Sequence, residues 1–170
     1  MNKSGEPIEI RPIGEESIAE ILSVYQACED FLALGPVATA SLEMVRSDLE
    51  MSKSQGGEFC GIYFEDKPMI GVVDFIRGDY QGRSDAAFIS LLMLARSFRK
   101  RGIGSRVMDR VEGEIRKTPG VTTIFSGVQV NNPLAIRFWR NRGYAVISGP
   151  DLMADQTTVF HLEKKILQGG

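Results

Sequence analysis

The sequence predicts a mixed α/β fold, with about seven strands in one sheet flanked by about four helices. Three observations predict it. Strand-like runs, alternating or β-branched and apolar, interleave with runs whose apolar residues recur at helical spacing. The changes of period are marked by breakers, as at Gly35-Pro36, Pro119-Gly120 and Asn132-Pro133. One run, Ala86–Leu94, is apolar on both faces except at Ser90, the pattern of a central strand in a sheet covered by helices.

In chain order, Met1–Gly5 is polar and expected to be loose, as are residues 168–170. Ile8–Arg11 alternates and reads as a strand ended by Pro12–Gly14. Ser17 to Leu32 is expected to be one helix, with Ile18, Ile21, Leu22 and Tyr25 on its apolar face and acids at 15, 16 and 20 near its start. Ser41 is placed to cap a second helix whose apolar positions are Leu42, Met44, Val45, Leu49 and Met51. Phe59–Phe64 and Met69–Ile76 read as strands joined by a hairpin at Glu65–Pro68, and a second turn at Gly78–Gly82 leads into Ala86–Leu94. The helix opening at Gly102 buries Ile103, Val107, Met108, Val111 and Ile115, with Glu112 and Arg116 paired on its wet side. Val121–Val130 is a strand. Asn132 then caps a short helix with Pro133 in its first turn, stopped by Arg142-Gly143. Tyr144–Ser148 and Thr157–Lys164 are the last strands, separated by the turn-rich stretch Gly149–Gln156. No repeat, linker or low-complexity segment interrupts the chain, so residues 1–170 read as a single domain.

Composition bounds the function. Hydrophobic content of 43% and charge of 25% are ordinary globular values and exclude a largely disordered chain. The net charge is −2, but residues 1–85 hold 7 Lys and Arg against 16 Asp and Glu, whereas residues 86–170 hold 13 against 6. That asymmetry argues against a nucleic-acid-binding surface and suits a local anion site in the second half. Cys28 and Cys60 make no disulfide framework or metal-ligand spacing, so reduced thiols, no metal and a cytoplasmic location are expected. No run has the length of a membrane span and the first 15 residues lack a secretory apolar core, so no membrane partner is expected.

The chemistry points to the stretch after Leu94. An apolar strand is followed by Phe98-Arg99-Lys100-Arg101-Gly102-Ile103-Gly104-Ser105 and then by an amphipathic helix. Main-chain N–H groups at a helix start have no internal partner, the helix dipole favours anions there, and glycine lets a phosphate approach the backbone. The loop is neither G-x-G-x-x-G, since position 107 is Val, nor a loop closed by Gly-Lys-Ser/Thr. In its strand–loop–helix setting, Arg99-x-x-Gly102-x-Gly104 resembles the [Q/R]-x-x-G-x-[G/A] signature of the GNAT superfamily, the GCN5-related N-acetyltransferases. Downstream, Val128-x-x-x-Asn132-x-x-Ala135-x-x-Phe138-Trp139-x-x-x-Gly143-Tyr144 resembles that family's second signature.

The resemblance covers about Ala86–Tyr144 and implies a mostly antiparallel sheet splayed between its fourth and fifth strands. It implies acetyl-coenzyme A as co-substrate. Its pantetheine would lie in the splay beside Met93 and Leu94, and its diphosphate on the turn formed by Arg99, Lys100, Arg101, Gly102, Ile103, Gly104 and Ser105. Asn132 would contact the cofactor arm or cap its helix, and Phe138 would wall the cofactor or pack in the core. Arg137, Arg140 and Arg142 would reach the adenosine 3′-phosphate or form a solvated helix face. Trp139 stands where many members have a tyrosine proposed as the acid for the leaving thiolate; its indole N–H donates but does not titrate. For a base to deprotonate the attacking amine, the residues offer His161, the single histidine, and Asp74 in the apolar run Gly71–Ile76. Either also reads as structural. The expected function is acetyl transfer directly to a primary amine of a small molecule or protein, because no cysteine sits at the motifs. The alternatives are an acyl-coenzyme A sensor without turnover and, third, a nucleotide-binding module. A homodimer is left open.

Overall fold

The structure, a computed structural model, describes residues 7–64 and 66–167. The expected loose ends, residues 1–5 and 168–170, and Glu65 of the hairpin turn lie outside the described residues.

Among the described residues seven strands form one sheet: β1 (Ile8–Pro12), β2 (Glu58–Phe64), β3 (Gly71–Ile76), β4 (Ala86–Leu94), β5 (Thr123–Gln129), β6 (Ala145–Leu152) and β7 (Thr158–Lys165). Their order is β1-β2-β3-β4-β5-β7-β6, and each neighbouring pair is antiparallel except β4 with β5, which is parallel. The helices are α1 (Ile18–Gln26), α2 (Glu29–Leu32), α3 (Leu42–Ser54), α4 (Ile103–Arg116) and α5 (Pro133–Asn141). One apolar cluster joins a sheet face to α4 and α5 through Ile89, Ile124, Val107, Val111 and Trp139. The other joins the opposite face to α1 and α3 through Ile21, Val24, Val45, Val72 and Met93.

Strand β4 serves both clusters because it changes face midway. Across from β3, Phe75 pairs with Ile89 and Asp74 with Leu91, so Ser90 is an extra residue, a β-bulge. A one-residue insertion moves every later side chain to the other face. Ala87 and Ile89 therefore point toward α4 before the bulge, and Leu92 and Leu94 after it, leaving Leu91 and Met93 for α1 and α3.

Three expectations are corrected. The helix expected over Ser17–Leu32 breaks at Ala27-Cys28 into α1 and α2, because the Cys28 side chain is drawn into the core and its thiol donates to the Leu94 carbonyl at 3.3 Å. Ser41 does cap α3, accepting from the Met44 N–H, but Leu42 and Met51 are exposed. Only a narrow stripe of α3 around Val45 meets α1. The stretch expected to be a turn after Ser148 continues β6 to Leu152, with register shifts against β7 on both sides of Ser148. Gly149 permits this: its φ is +105°, and a Cβ there would lie 2.7 Å from the Val159 carbonyl oxygen.

Candidate active site

Strands β4 and β5 pair only from Ala86–Ile89 to Thr123–Ser126. The pairing closes with the buried Ser126 hydroxyl, which donates to the Ile89 carbonyl at 3.0 Å. Beyond that bond β4 stays with β3 and β5 with β7. The bulge at Ser90 falls where they part, and bending of the bulged strand opens a splay between Leu91–Leu94 and Gly127–Gln129.

Helix α4 begins at the mouth of that splay. After a 3₁₀ turn at Arg96–Phe98 the chain is extended at Arg99, left-handed at Lys100 (φ +59°) and left-handed again at Gly102 (φ +76°), the N-cap of α4. The helical ladder starts with the Arg106 N–H on the Gly102 carbonyl at 3.2 Å, and no side chain caps this end. The amides of Ile103, Gly104 and Ser105 thus face outward at the positive end of the dipole. Gly104 is the close approach between helices: a Cβ there would sit 3.4 Å from Phe138 Cε2 and 3.7 Å from Leu94 Cδ1. Phe138 is accordingly the wall over the first turn of α4. Lys100 and Arg101 are exposed beside the turn, and Ile103 is buried beneath it. Met93 is buried on the α1 side.

Arg99 does not reach over this turn. Its Nε donates to the Leu94 carbonyl at 2.8 Å, and both terminal nitrogens donate to the Asp30 carboxylate on α2. Arg142 is neither a free arm for a phosphate nor part of a solvated face. It is largely buried, donating to the Ser105 carbonyl at 3.1 Å and to Asp109 at 2.8 Å, and it meets Glu112 at 3.3 Å. Arg137 and Arg140 are exposed. Asn132 caps α5, its Oδ1 accepting from the Ala135 N–H at 3.1 Å; its Nδ2 has no protein partner among the described residues. Trp139 is buried edge-on between Phe138 and Tyr144, with centroids 5.2 and 4.9 Å away, so its ring belongs to the core.

The two carboxylate and imidazole candidates each lie one strand from the splay, but in opposite environments. Asp74, on β3, is 6% exposed and accepts the Ser52 hydroxyl at 2.7 Å beneath α3. Above it a groove of about 440 Å³ runs between α3 and β2, away from the parted strands. Burial pushes the Asp74 carboxyl above its ordinary value, the Ser52 hydrogen bond opposes this, and nearby Asp48 adds to it. A raised native pKa means that stability is lost as pH rises through it. Asp74→Asn keeps an acceptor for Ser52 and removes the buried charge. It is expected to raise the melting temperature near neutral pH, to lose that advantage as pH falls into the ordinary carboxylate range, and to leave catalysis intact; melting curves across pH check it.

His161, on β7, pairs with Gly127 of β5, the first residue of the splay, and its side chain is partly open to solvent. Its Nε2 lies 2.8 Å from Asp151 Oδ2 on β6, placed there by the register shift that Gly149 permits. The neutral tautomer that donates from Nε2 to this carboxylate has Nδ1 as its acceptor. A Cβ on Gly127 would meet one atom within 4 Å, the Phe160 carbonyl oxygen at 3.9 Å, so no side chain of β5 separates the imidazole from the opening.

Sequence reasoning missed the packing at the ends of β5 and β7, beyond His161. The segment after α2 folds against the ends of β5 and β7, where Asn131 Nδ2 donates to the Leu34 carbonyl at 3.0 Å and Gly35 abuts Gln129 and Thr157. Gln129 Oε1 is buried there without a hydrogen-bond partner among the described residues. No motif marks these positions. Among the described residues, no group of three His, Cys, Asp or Glu side chains could hold a metal ion, and no helix is long and apolar enough to cross a membrane.

A sheet parted between two parallel strands, with an uncapped helix start at the opening, is the architecture of an acetyltransferase fold. The chain belongs to the acetyltransferase (GNAT) family, whose model matches residues 19–144. Solved structures agree. An acetyltransferase from Thermus thermophilus superposes with a TM-score of 0.78 at 18% identity, covering 94% of this chain and 97% of that one. The Salmonella typhimurium acetyl transferase that modifies the N-terminal serine of ribosomal protein L7/L12 gives 0.75 at 17% identity, with 94% and 95% covered. Spermidine N-acetyltransferase from Vibrio cholerae, in complex with CoA and spermine, gives 0.70 at 11% identity, with 93% and 95% covered. None of the curated proteins matches the chain in sequence.

Proposed function

We propose that this protein transfers the acetyl group of acetyl-coenzyme A directly to a primary amine. The observation that carries the reading is the uncapped first turn of α4 at the mouth of the β4–β5 splay. The amides of Ile103, Gly104 and Ser105 hold the diphosphate, Lys100 and Arg101 add positive charge, and Phe138 walls the arm. Asn132 Nδ2 donates to the pantetheine. In the splay the thioester carbonyl takes the Leu94 N–H, the oxyanion donor.

His161 is the base in this reading, held by Asp151. Nδ1 accepts a proton from the ammonium, the freed amine nitrogen attacks the thioester carbon and the C–N bond forms; as the C–S bond breaks, the second proton on that nitrogen passes to the departing thiolate sulfur. The coenzyme leaves as a thiolate, which tolerates departure near neutral pH without an acid from Trp139. Direct transfer is supported by both cysteines. Each is buried; burial pushes the Cys28 thiol up, and the Cys60 thiol to about 12, so neither offers a thiolate for an acyl-enzyme. Two free thiols also suit a reducing, cytoplasmic compartment.

The amine enters along Gln129, Asn131 and Thr157, where the orphaned Gln129 Oε1 would accept an N–H. The acidic first half of the chain favours a cationic acceptor, and the Salmonella and Vibrio proteins act on or bind amines of two sizes, a protein N-terminus and a polyamine. A homodimer would form along the open edge of β6, where Val146, Ile147 and Leu152 are exposed. The test is coenzyme A thiol release over spermidine, an amino sugar and a serine-initiated peptide. His161→Gln is expected to lower kcat by about 10²-fold, the scale of a lost general base, with acetyl-coenzyme A binding unchanged. The second reading, a sensor, is favoured by the burial of Trp139 where a proton donor is usual; it requires cofactor binding and no thiol release with any of the three amines.

A further inference from the structure

We infer that Arg99 is a positioning residue for the thioester and not a ligand of the diphosphate; the inference rests on the acetyl-transfer reading. Side-chain geometry separates the two roles. Alternation along β4 fixes which peptide groups face the splay: the Ala95 N–H donates to the Ile70 carbonyl at 2.8 Å, on the β3 side, so Leu94 turns both its N–H and its C=O toward the opening. A carbonyl there repels a thioester oxygen, whereas the N–H attracts it. Arg99 Nε at 2.8 Å and the Cys28 thiol at 3.3 Å both donate to that carbonyl, leaving the N–H as the group Leu94 offers. The guanidinium fork is held in turn by the Asp30 carboxylate, so α2, beside the amine entrance, is tied to the strand end that holds the acetyl group. The break between α1 and α2 at Cys28 is what brings Asp30 within reach. Arg99 and Asp30 thus hold the end of β4 and keep the Leu94 carbonyl occupied beside the N–H that receives the thioester oxygen.

The two roles give different binding signatures, since only acetyl-coenzyme A carries the thioester carbonyl while both it and coenzyme A carry the phosphates. Calorimetric titration of both ligands into wild type, Arg99→Met and Asp30→Asn, at two salt concentrations, decides between them. Circular dichroism checks each variant's fold, and Asp30→Asn is a near-isosteric change at a partly exposed carboxylate. Arg99→Met is expected to weaken acetyl-coenzyme A about fivefold, one hydrogen bond's worth, with coenzyme A changed by less than about twofold and the salt slope unchanged. Asp30→Asn is expected to move the same ratio in the same direction by less. Equal weakening of both ligands with a shallower salt slope would make Arg99 a phosphate ligand and overturn the inference, as would no change in either variant. If wild type binds neither ligand, the acetyl-transfer reading fails first and this inference falls with it.

Discussion

Gly102→Glu is expected to abolish acetyl-coenzyme A binding, with a loss of about 10³-fold or more in affinity. Two costs add. Gly102 is left-handed at φ +76°, where any Cβ is strained, a term of about 1 kcal/mol. The larger one is electrostatic. In the proposed complex the outward amides of α4 hold the diphosphate at the positive end of the dipole, and each charge-assisted hydrogen bond of that kind contributes about 1.5–3 kcal/mol. A carboxylate at the N-cap would occupy those amides itself, as acidic caps do, and repel the incoming phosphates. Losing two such bonds already amounts to about 4 kcal/mol, roughly a thousandfold. Nothing lies within 4 Å of a Cβ at this position, so the folded state has room for the side chain and the variant should fold. Titration of acetyl-coenzyme A into Gly102→Glu, with Gly102→Ala as the strain-only control, checks it: binding within tenfold of wild type by the glutamate variant would place the diphosphate elsewhere.

Local chemistry was legible in the sequence wherever one element's own residues decide the outcome. Ser41 and Asn132 were readable as caps because a cap depends on a few consecutive residues. The extent of β4 and the start of α4 followed from apolar pattern and glycine position in the same way. What was not legible depends on contacts between distant segments. Arg99 sits at a motif position associated with the cofactor, yet its partner Asp30 lies 69 residues away on a helix whose existence depends on a buried cysteine. Asp74 and His161 looked equivalent as lone polar residues in strands; α3 covers one, and a carboxylate on a bulged edge strand orients the other. Ser90 read only as an exception in an apolar run. The structure makes it the extra residue that turns β4 over at the point where the sheet opens.

Glu112 is the residue for which helical spacing misled most, and its replacement carries the largest expected loss of stability. Its pairing with Arg116 exists, at 3.7 Å, but the side chain is not on a wet face: it is 2% exposed, since α5 and β7 close over it. One carboxylate there accepts the Tyr144 hydroxyl and the Lys164 ammonium, each at 2.9 Å, and faces the Arg142 guanidinium. Glu112→Ala leaves Lys164 partly buried without its counter-ion and Arg142 with Asp109 alone, a loss of about 3–5 kcal/mol for breaking a buried pair from one side. For a domain of this size that corresponds to a fall in melting temperature of roughly 10 °C. Because Arg142 also grips the Ser105 carbonyl in the first turn of α4, the same variant is expected to weaken acetyl-coenzyme A binding, whereas Asp109→Asn, which removes only the exposed partner, should not. A buried ion cluster need not be a net source of stability, since desolvation offsets much of the attraction. The triple replacement Glu112→Leu, Lys164→Met, Tyr144→Phe removes the Glu112 and Lys164 charges and the Tyr144 hydroxyl together, leaves Arg142 on Asp109, and keeps the volume. It should recover most of the lost melting temperature while leaving cofactor affinity low, because Arg142 then holds Ser105 without Glu112 behind it. Recovery of both would show that the cluster only packs, and recovery of neither would show that the ion pairs themselves hold α5 on α4.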